Sequence, residues 1–186
     1  MKEIMVAYWS GTGNTAAMAA ILGKGIQDGG ATAKVVSVED IKADDLKDYP
    51  VFALGCPSMG NETLEETVME DFVTEVESFA SGKKIGLFGS YGWGDGEWMR
   101  NWVARMEEAG AQVYGGEDAI CMNEPDSEAE EKLEALGKEA VLHGEMCLGE
   151  GSGAVALFPF LDMGVAVYES MSTFEDIHVD QYEELV

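Results

Sequence analysis

Six consecutive residues, Ser10-Gly11-Thr12-Gly13-Asn14-Thr15, place hydroxyl and amide side chains on a backbone opened by two glycines. Glycine lacks the Cβ that keeps neighbouring N–H groups from converging, and Ser, Thr and Asn bring donors of their own. The run follows the apolar stretch Ile4–Tyr8 and opens the alanine-rich stretch Thr15–Leu22. Strand, donor-rich loop and helix in that order make an anion cradle, because the first N–H groups of a helix and its dipole favour negative charge. No Gly-Lys-Ser/Thr follows, which excludes a Walker loop. Ala16 stands where the dinucleotide fingerprint G-x-G-x-x-G needs its third glycine. A phosphate monoester suits the run better than a pyrophosphate. Taken alone, it is also compatible with an ordinary Gly/Ser turn capped by Thr12 or Asn14.

Two further loops carry residues that suit a planar ring. In Gly89-Ser90-Tyr91-Gly92-Trp93-Gly94-Asp95-Gly96 an indole sits between glycines that give it no local packing. A stacked aromatic ligand would contribute about 0.5–1.5 kcal/mol beyond area burial; the competing reading folds Trp93 back onto the protein. In Gly55-Cys56-Pro57-Ser58-Met59-Gly60-Asn61-Glu62, Met59 is a polarizable side chain suited to the opposite ring face or to core filling. Gly60-Asn61 reads as the centre of a turn whose peptide can rotate, with Asn61 tolerating the positive φ of a type II turn. Glu62 offers acceptors for ring N–H groups, or compensates a helix N-terminus.

Positioning these loops requires strands that end at a common rim. Ile4–Tyr8, Ala33–Val38, Val51–Gly55, Lys84–Ser90 and Gln112–Met122 read as strands, and Asn14–Asp28, Leu64–Phe79, Glu97–Ala109 and Ser127–His143 as helices, with Ile41–Lys47 a short helical or loop segment. The first helix stops at Gly29-Gly30. Leu64, Val68, Phe72, Val76 and Phe79 fall at helical spacing. This alternation predicts an α/β fold, a doubly wound five-stranded parallel sheet with helices on both faces. Ligands in such sheets sit beyond the carboxyl ends of the strands. Ser10–Thr15, Cys56–Glu62, Tyr91–Gly96 and Asn123–Asp126 all fall there.

The chain's 186 residues, 46% hydrophobic, can build one substantial core. Its formal charge of -25 argues against nucleic acid or an anionic membrane as partner and favours basic protein surfaces. Cys56, Cys121 and Cys147 form no C-x-x-C pair, so neither a disulfide framework nor a zinc site is expected; Cys56 and Cys121 read as buried thiols. His143 and His178 read as isolated surface residues, and Trp98 and Trp102, four apart, as packing. Asp95 and Glu97 either tune the site or are plain surface charges. No signal-like or membrane-spanning segment is evident, so a cytoplasmic protein without metal is expected.

Together, S-G-T-G-N-T, G-C-P-S-M-G-N-E, F-G-S-Y-G-W-G-D-G and N-E-P-D resemble the cofactor loops of the short-chain flavodoxins of anaerobic bacteria, in order and spacing over roughly residues 1–145. The resemblance implies strand order 2-1-3-4-5 and non-covalent FMN. It implies that Ser10, Gly11, Thr12, Gly13, Asn14 and Thr15 hold the phosphate. Pro57, Ser58, Met59, Gly60, Asn61 and Glu62, with Ser90, Tyr91, Gly92, Trp93 and Gly94, would surround the ring, Met59 and Trp93 flanking it and Gly60 and Glu62 meeting N5 and N3. It implies no catalytic residues, and a low-potential one-electron carrier cycling mainly between semiquinone and hydroquinone. Basic redox partner proteins and a monomer are expected. An FMN-dependent quinone or flavin reductase and a non-flavin interaction domain remain the alternatives.

Residues 1–146 make up the expected FMN-binding domain, and 147–186 a Gly-rich linker and acidic extension. Those last residues hold eight acids and no Lys or Arg. Gly149–Gly153 has linker composition, and Ala154–Leu161 is an apolar stretch interrupted by Pro159. It reads as an extension packing on the domain, a motif for a partner, or a fused segment.

Overall fold

Val51–Gly55 is buried along its whole length, as a strand covered on both faces must be. The computed structural model describes residues 3–143, where five strands alternate with four helices: β1 Glu3–Tyr8, α1 Asn14–Asp28, β2 Thr32–Ser37, β3 Val51–Gly55, α2 Met69–Glu77, β4 Lys84–Tyr91, α3 Glu97–Glu108, β5 Gln112–Met122 and α4 Ser127–His143. The strands form one parallel sheet in the order β2-β1-β3-β4-β5, the order that the family resemblance implied.

Side chains alternate between the two faces of each strand. Met5, Ala7, Phe52, Leu54, Ile85 and Leu87 point to the core shared with α2 and α3. Ile4, Val6, Ala53 and Phe88 point to the core shared with α1 and α4. Trp98 and Trp102 are both fully buried on the α3 side, so their reading as packing residues holds. The indole N–H of Trp98 donates to the Cys56 carbonyl at 3.3 Å. That of Trp102 is buried without a partner, a cost of about 1–3 kcal/mol. Burying roughly 200 Å² of indole at about 25 cal/mol per Å² outweighs it.

The segment expected to be helical from Leu64 becomes helical only at Met69. Leu64, Phe72 and Val76 are buried, and Val68 and Phe79 pack on the same core, so the apolar face was legible while the backbone was not. The physical reason is Glu65, which is 7% exposed. Its carboxylate accepts from the N–H groups of Thr67 at 3.0 Å, Val68 at 2.8 Å and Met69 at 3.0 Å, and from the Thr67 hydroxyl. It serves as the cap that starts α2 five residues late. Burial pushes this carboxyl up, but those hydrogen bonds dominate and bring it down to about 2.

Two short 3-10 turns, Val38–Asp40 and Ala43–Leu46, occupy the region around Ile41–Lys47. Cys56 is buried, and desolvation pushes its thiol up to about 12. Cys121 is only partly buried, correcting the expectation of a buried thiol, because it lies near the end of an edge strand. The side chain of His143, His178, Cys147 and the whole 147–186 extension lie outside the described residues.

Candidate functional site

The four expected loops do meet at the carboxyl ends of the strands, and backbone hydrogen bonds lace them together. Trp9 N donates to Gly55 O at 2.9 Å, Cys56 N to Phe88 O at 3.1 Å, Ser58 N to Ser90 O at 2.9 Å and Asn123 N to Tyr91 O at 2.8 Å. A pair of buried hydroxyls, Thr15 Oγ1 and Ser90 Oγ, lies 3.3 Å apart and joins the first loop to the third. The bonds from Trp9, Cys56 and Asn123 each continue the sheet's ladder one step past a strand end, and the bond from Ser58 ties the second loop to the end of β4, so β-pairing helps set the spacing of the rim.

At the first loop, Gly13 is the N-cap of α1 with φ +99° and its N–H donates to Ser10 Oγ at 3.1 Å. No side chain caps this helix and its first turn holds no acid. The contrast with the other described helices is sharp. α2 begins with Glu70 and Asp71, α3 with Glu97, and α4 with Glu128 and Glu130. In a chain of net charge -25, the one described helix start left clear of acids is the one surrounded by Ser10, Thr12, Asn14 and Thr15. A dianion at that position would meet donors and a favourable dipole without like-charge repulsion.

The second and third loops present apolar surface beside it. Met59 is 37% exposed and Trp93 58%; Trp93 does not fold back into the core. A bridge closes the second loop, with Met59 N donating to Thr63 O and Thr63 N to Met59 O, each at 2.9 Å. The positive φ expected at Asn61 instead falls on Gly60 (+48°) and Glu62 (+54°). The five-residue closure from Met59 to Thr63 is wider than a two-residue turn, so the chain reverses over two left-handed residues instead of one.

Glu62 Oε1 accepts from Gly96 N at 2.8 Å and Glu97 N at 2.9 Å. It therefore caps α3 from another loop, the helix-compensating role that its carboxylate allowed. Gly94, at φ +95°, makes room for it: a Cβ there would stand 2.6 Å from Glu62 Oε1 and 2.8 Å from Oε2.

Two residues that the sequence reading passed over complete the third loop. Arg100 donates to the Asp95 carbonyl and carboxylate, both at 2.8 Å, and to Glu117 at 2.9 Å. Asp95 is thus an ion-pair partner rather than a lone surface charge. The available signal for Glu117 was Gly115-Gly116 just before it, since glycines inside a strand mark an irregularity. Met122, opposite Tyr91 at the end of β5, is also exposed. Among the described residues no group of His, Cys, Asp and Glu is arranged to hold a metal ion, and no helix is long and apolar enough to cross a membrane.

The sequence model of the flavodoxin family matches residues 6–154. A flavodoxin of Clostridium beijerinckii is 46% identical over 134 residues, covering 72% of this chain and 96% of its own length. A flavodoxin of Megasphaera elsdenii is 47% identical over 137 residues, covering 73% and 98%. The solution structure of two-electron reduced Megasphaera elsdenii flavodoxin superposes with a TM-score of 0.66 at 44% identity, over 75% of this chain and 98% of that one. A short match, 49% identical over 51 residues, is to nicotinate-nucleotide–dimethylbenzimidazole phosphoribosyltransferase of Acetivibrio thermocellus, covering 27% of this chain and 14% of that enzyme.

A doubly wound sheet with an acid-free helix start and two exposed apolar side chains at its carboxyl rim suits a flavin-nucleotide carrier. The chain belongs to the flavodoxin family. It binds FMN and transfers electrons between redox partner proteins without transforming a substrate. The reductase and the non-flavin interaction domain are thereby set aside. The donor set fits the group: the acid-free start of α1 suits a phosphate, and Met59 and Trp93 suit the faces of a ring.

Proposed function

We propose that this flavodoxin is a low-potential carrier whose phosphate site is Ser10–Thr15 and whose ring site lies between Met59 and Trp93, bordered by Pro57–Glu62 and Ser90–Gly94. FMN supplies reversible one- and two-electron chemistry when bound, and the working couple is the one between its one-electron and fully reduced states. The protein's part is to bind, orient and set charge. The Thr15 hydroxyl, 3.3 Å from that of Ser90, supports a phosphate site directly coupled to the ring loop. With both α3 N–H groups on Glu62 Oε1, Oε2 serves a ring N–H. The Gly60 carbonyl would accept a hydrogen bond from a ring N–H if the turn rotated.

The observation that carries this reading is the acid-free, uncapped start of α1 beside exposed Met59 and Trp93. The net charge of -25 supports docking to basic partners, and the protein acts as a monomer in the cytoplasm. Titration of the purified chain with FMN should quench flavin fluorescence at one equivalent. Stepwise reduction followed by absorption should accumulate the one-electron-reduced form, and NADPH alone should leave the flavin oxidised. Alanine at Thr12 or Trp93 should weaken FMN binding at least tenfold; unchanged affinity in both variants would overturn the site.

A further inference from the structure

The indole of Trp93 has little packing of its own, so its position is set by whatever fixes the loop. Two side chains do that. Glu62 reaches across from the second loop to Gly96 N and Glu97 N. Arg100, one turn into α3, spreads its guanidinium over three acceptors: the Asp95 carbonyl, the Asp95 carboxylate and Glu117. Gly96 is wedged against this group, with its Cβ position 3.1 Å from Ile120 Cδ1, 3.6 Å from Arg100 Nη1 and 3.9 Å from Glu117 Oε1.

Glu117 reaches Arg100 because β5 is irregular there. Leu87 pairs with Gly115 and Gly89 with Ile120, so β5 uses five residues where β4 uses two. Gly115 and Gly116 both have positive φ at the start of this excess, and Glu117 rides on the protruding segment. An arginine suits the position because its planar fork serves several acceptors at once, which a lysine ammonium does less rigidly.

We propose that Arg100 is a positioning residue for the ring-stacking loop: by clamping Asp95 to Glu117 on the β5 bulge, it sets the place of Trp93 and hence FMN affinity and potential. This rests on the reading that Trp93 stacks on the flavin. It assigns the β5 bulge a purpose, as the anchor of a loop whose other side-chain tether is Glu62. Arg100 also neutralises two carboxylates flanking the loop, so its loss leaves more negative charge beside a ring that becomes anionic on full reduction.

The test uses the full chain loaded with FMN, as wild type, R100A, R100K, E117Q, W93A and the double variant R100A/W93A. Affinity is read by fluorescence titration, stacking by visible circular dichroism of the flavin, and both reduction potentials by spectroelectrochemistry. R100A is expected to weaken FMN binding about tenfold, alter the visible dichroism and make the second potential more negative. R100K should recover the potential while recovering affinity only in part, and E117Q should weaken binding several-fold. If Arg100 acts through the indole, R100A should cost little more once Trp93 is gone, a non-additivity that general destabilisation does not produce. W93A weakened with R100A and E117Q both indistinguishable from wild type would overturn this proposal alone. W93A indistinguishable from wild type would overturn the stacking reading and this proposal with it. Fully additive effects in R100A/W93A would also overturn it.

Discussion

Gly94 and Gly92 flank the same indole, yet adding a methyl to each has different consequences. At Gly94 the new Cβ would face φ +95° and the Glu62 carboxylate, whose oxygens lie 2.6 and 2.8 Å away. At Gly92 the nearest atom is Asn123 Oδ1 at 3.9 Å, ordinary van der Waals contact. G94A must therefore displace Glu62 from α3, and FMN binding should fall at least tenfold, while G92A should stay within about threefold; fluorescence titration of the pair checks this. Gly60 differs again. Its φ is +48° but a Cβ would meet only Thr63 Oγ1 at 3.6 Å, so G60A is a backbone effect of about 1–2 kcal/mol. Its turn should lose the ability to present the carbonyl, lowering the maximum fraction of one-electron-reduced flavin in a potentiometric titration. The sequence made Gly60, Trp93 and Met59 visible because residue type alone limited their uses. It could not reveal that Glu62 reaches α3, or that Asp95 belongs to Arg100, since both depend on which loops the sheet brings side by side.

At the scale of elements, strand positions were legible because buried parallel strands are short apolar runs bounded by turn residues, as Val51–Gly55 shows. The start of α2 was not legible, because helical spacing of apolar residues survives in an irregular segment and Glu65 acts as a cap only once its carboxylate is buried. This cap has a pH signature. The Glu65 carboxyl is brought from 4.5 down to about 2 in the folded protein. A depressed folded-state pKa stabilises above the unfolded value, and that contribution fades as pH falls from about 5 toward 2. E65Q should therefore melt several degrees below wild type at pH 7. The gap should narrow progressively in thermal melts taken below about pH 4. A constant gap across that range would show that the carboxylate charge is not what starts α2. The excess residues of β5 were hidden for a related reason: Gly115-Gly116 announces an irregularity, while its size depends on pairing with β4.

Over the whole molecule, charge and length remain to be placed. With 36 acids against 11 bases, full reduction of bound FMN adds an anion to an already negative body. One carboxylate about 10 Å away raises that anion's energy by roughly 0.4 kcal/mol in water-like dielectric, and several act together. The Debye length falls to about 8 Å at 0.15 M and about 3 Å at 1 M salt. The second potential should consequently become less negative from low to high salt, while association with a basic partner slows in stopped-flow measurements.

Length bears on the same question from another side. Among the described residues the five strands and four helices run to His143, and the flavodoxins of Clostridium beijerinckii and Megasphaera elsdenii match over 96% and 98% of their own lengths within 134 and 137 residues. Every residue proposed for the phosphate and ring lies between Ser10 and Gly94, and the Arg100–Glu117 pair joins α3 to β5. Residues 147–186 add acidic charge and the apolar run Ala154–Leu161 to the sequence, beyond every residue proposed for the cofactor site. Truncation after residue 146 should leave FMN affinity within twofold of the full chain. It should move the second potential to less negative values at low salt, because eight acids are removed without a base, and that difference should vanish at 1 M salt. An affinity loss that salt does not reverse would instead give the extension a part in building the flavin site.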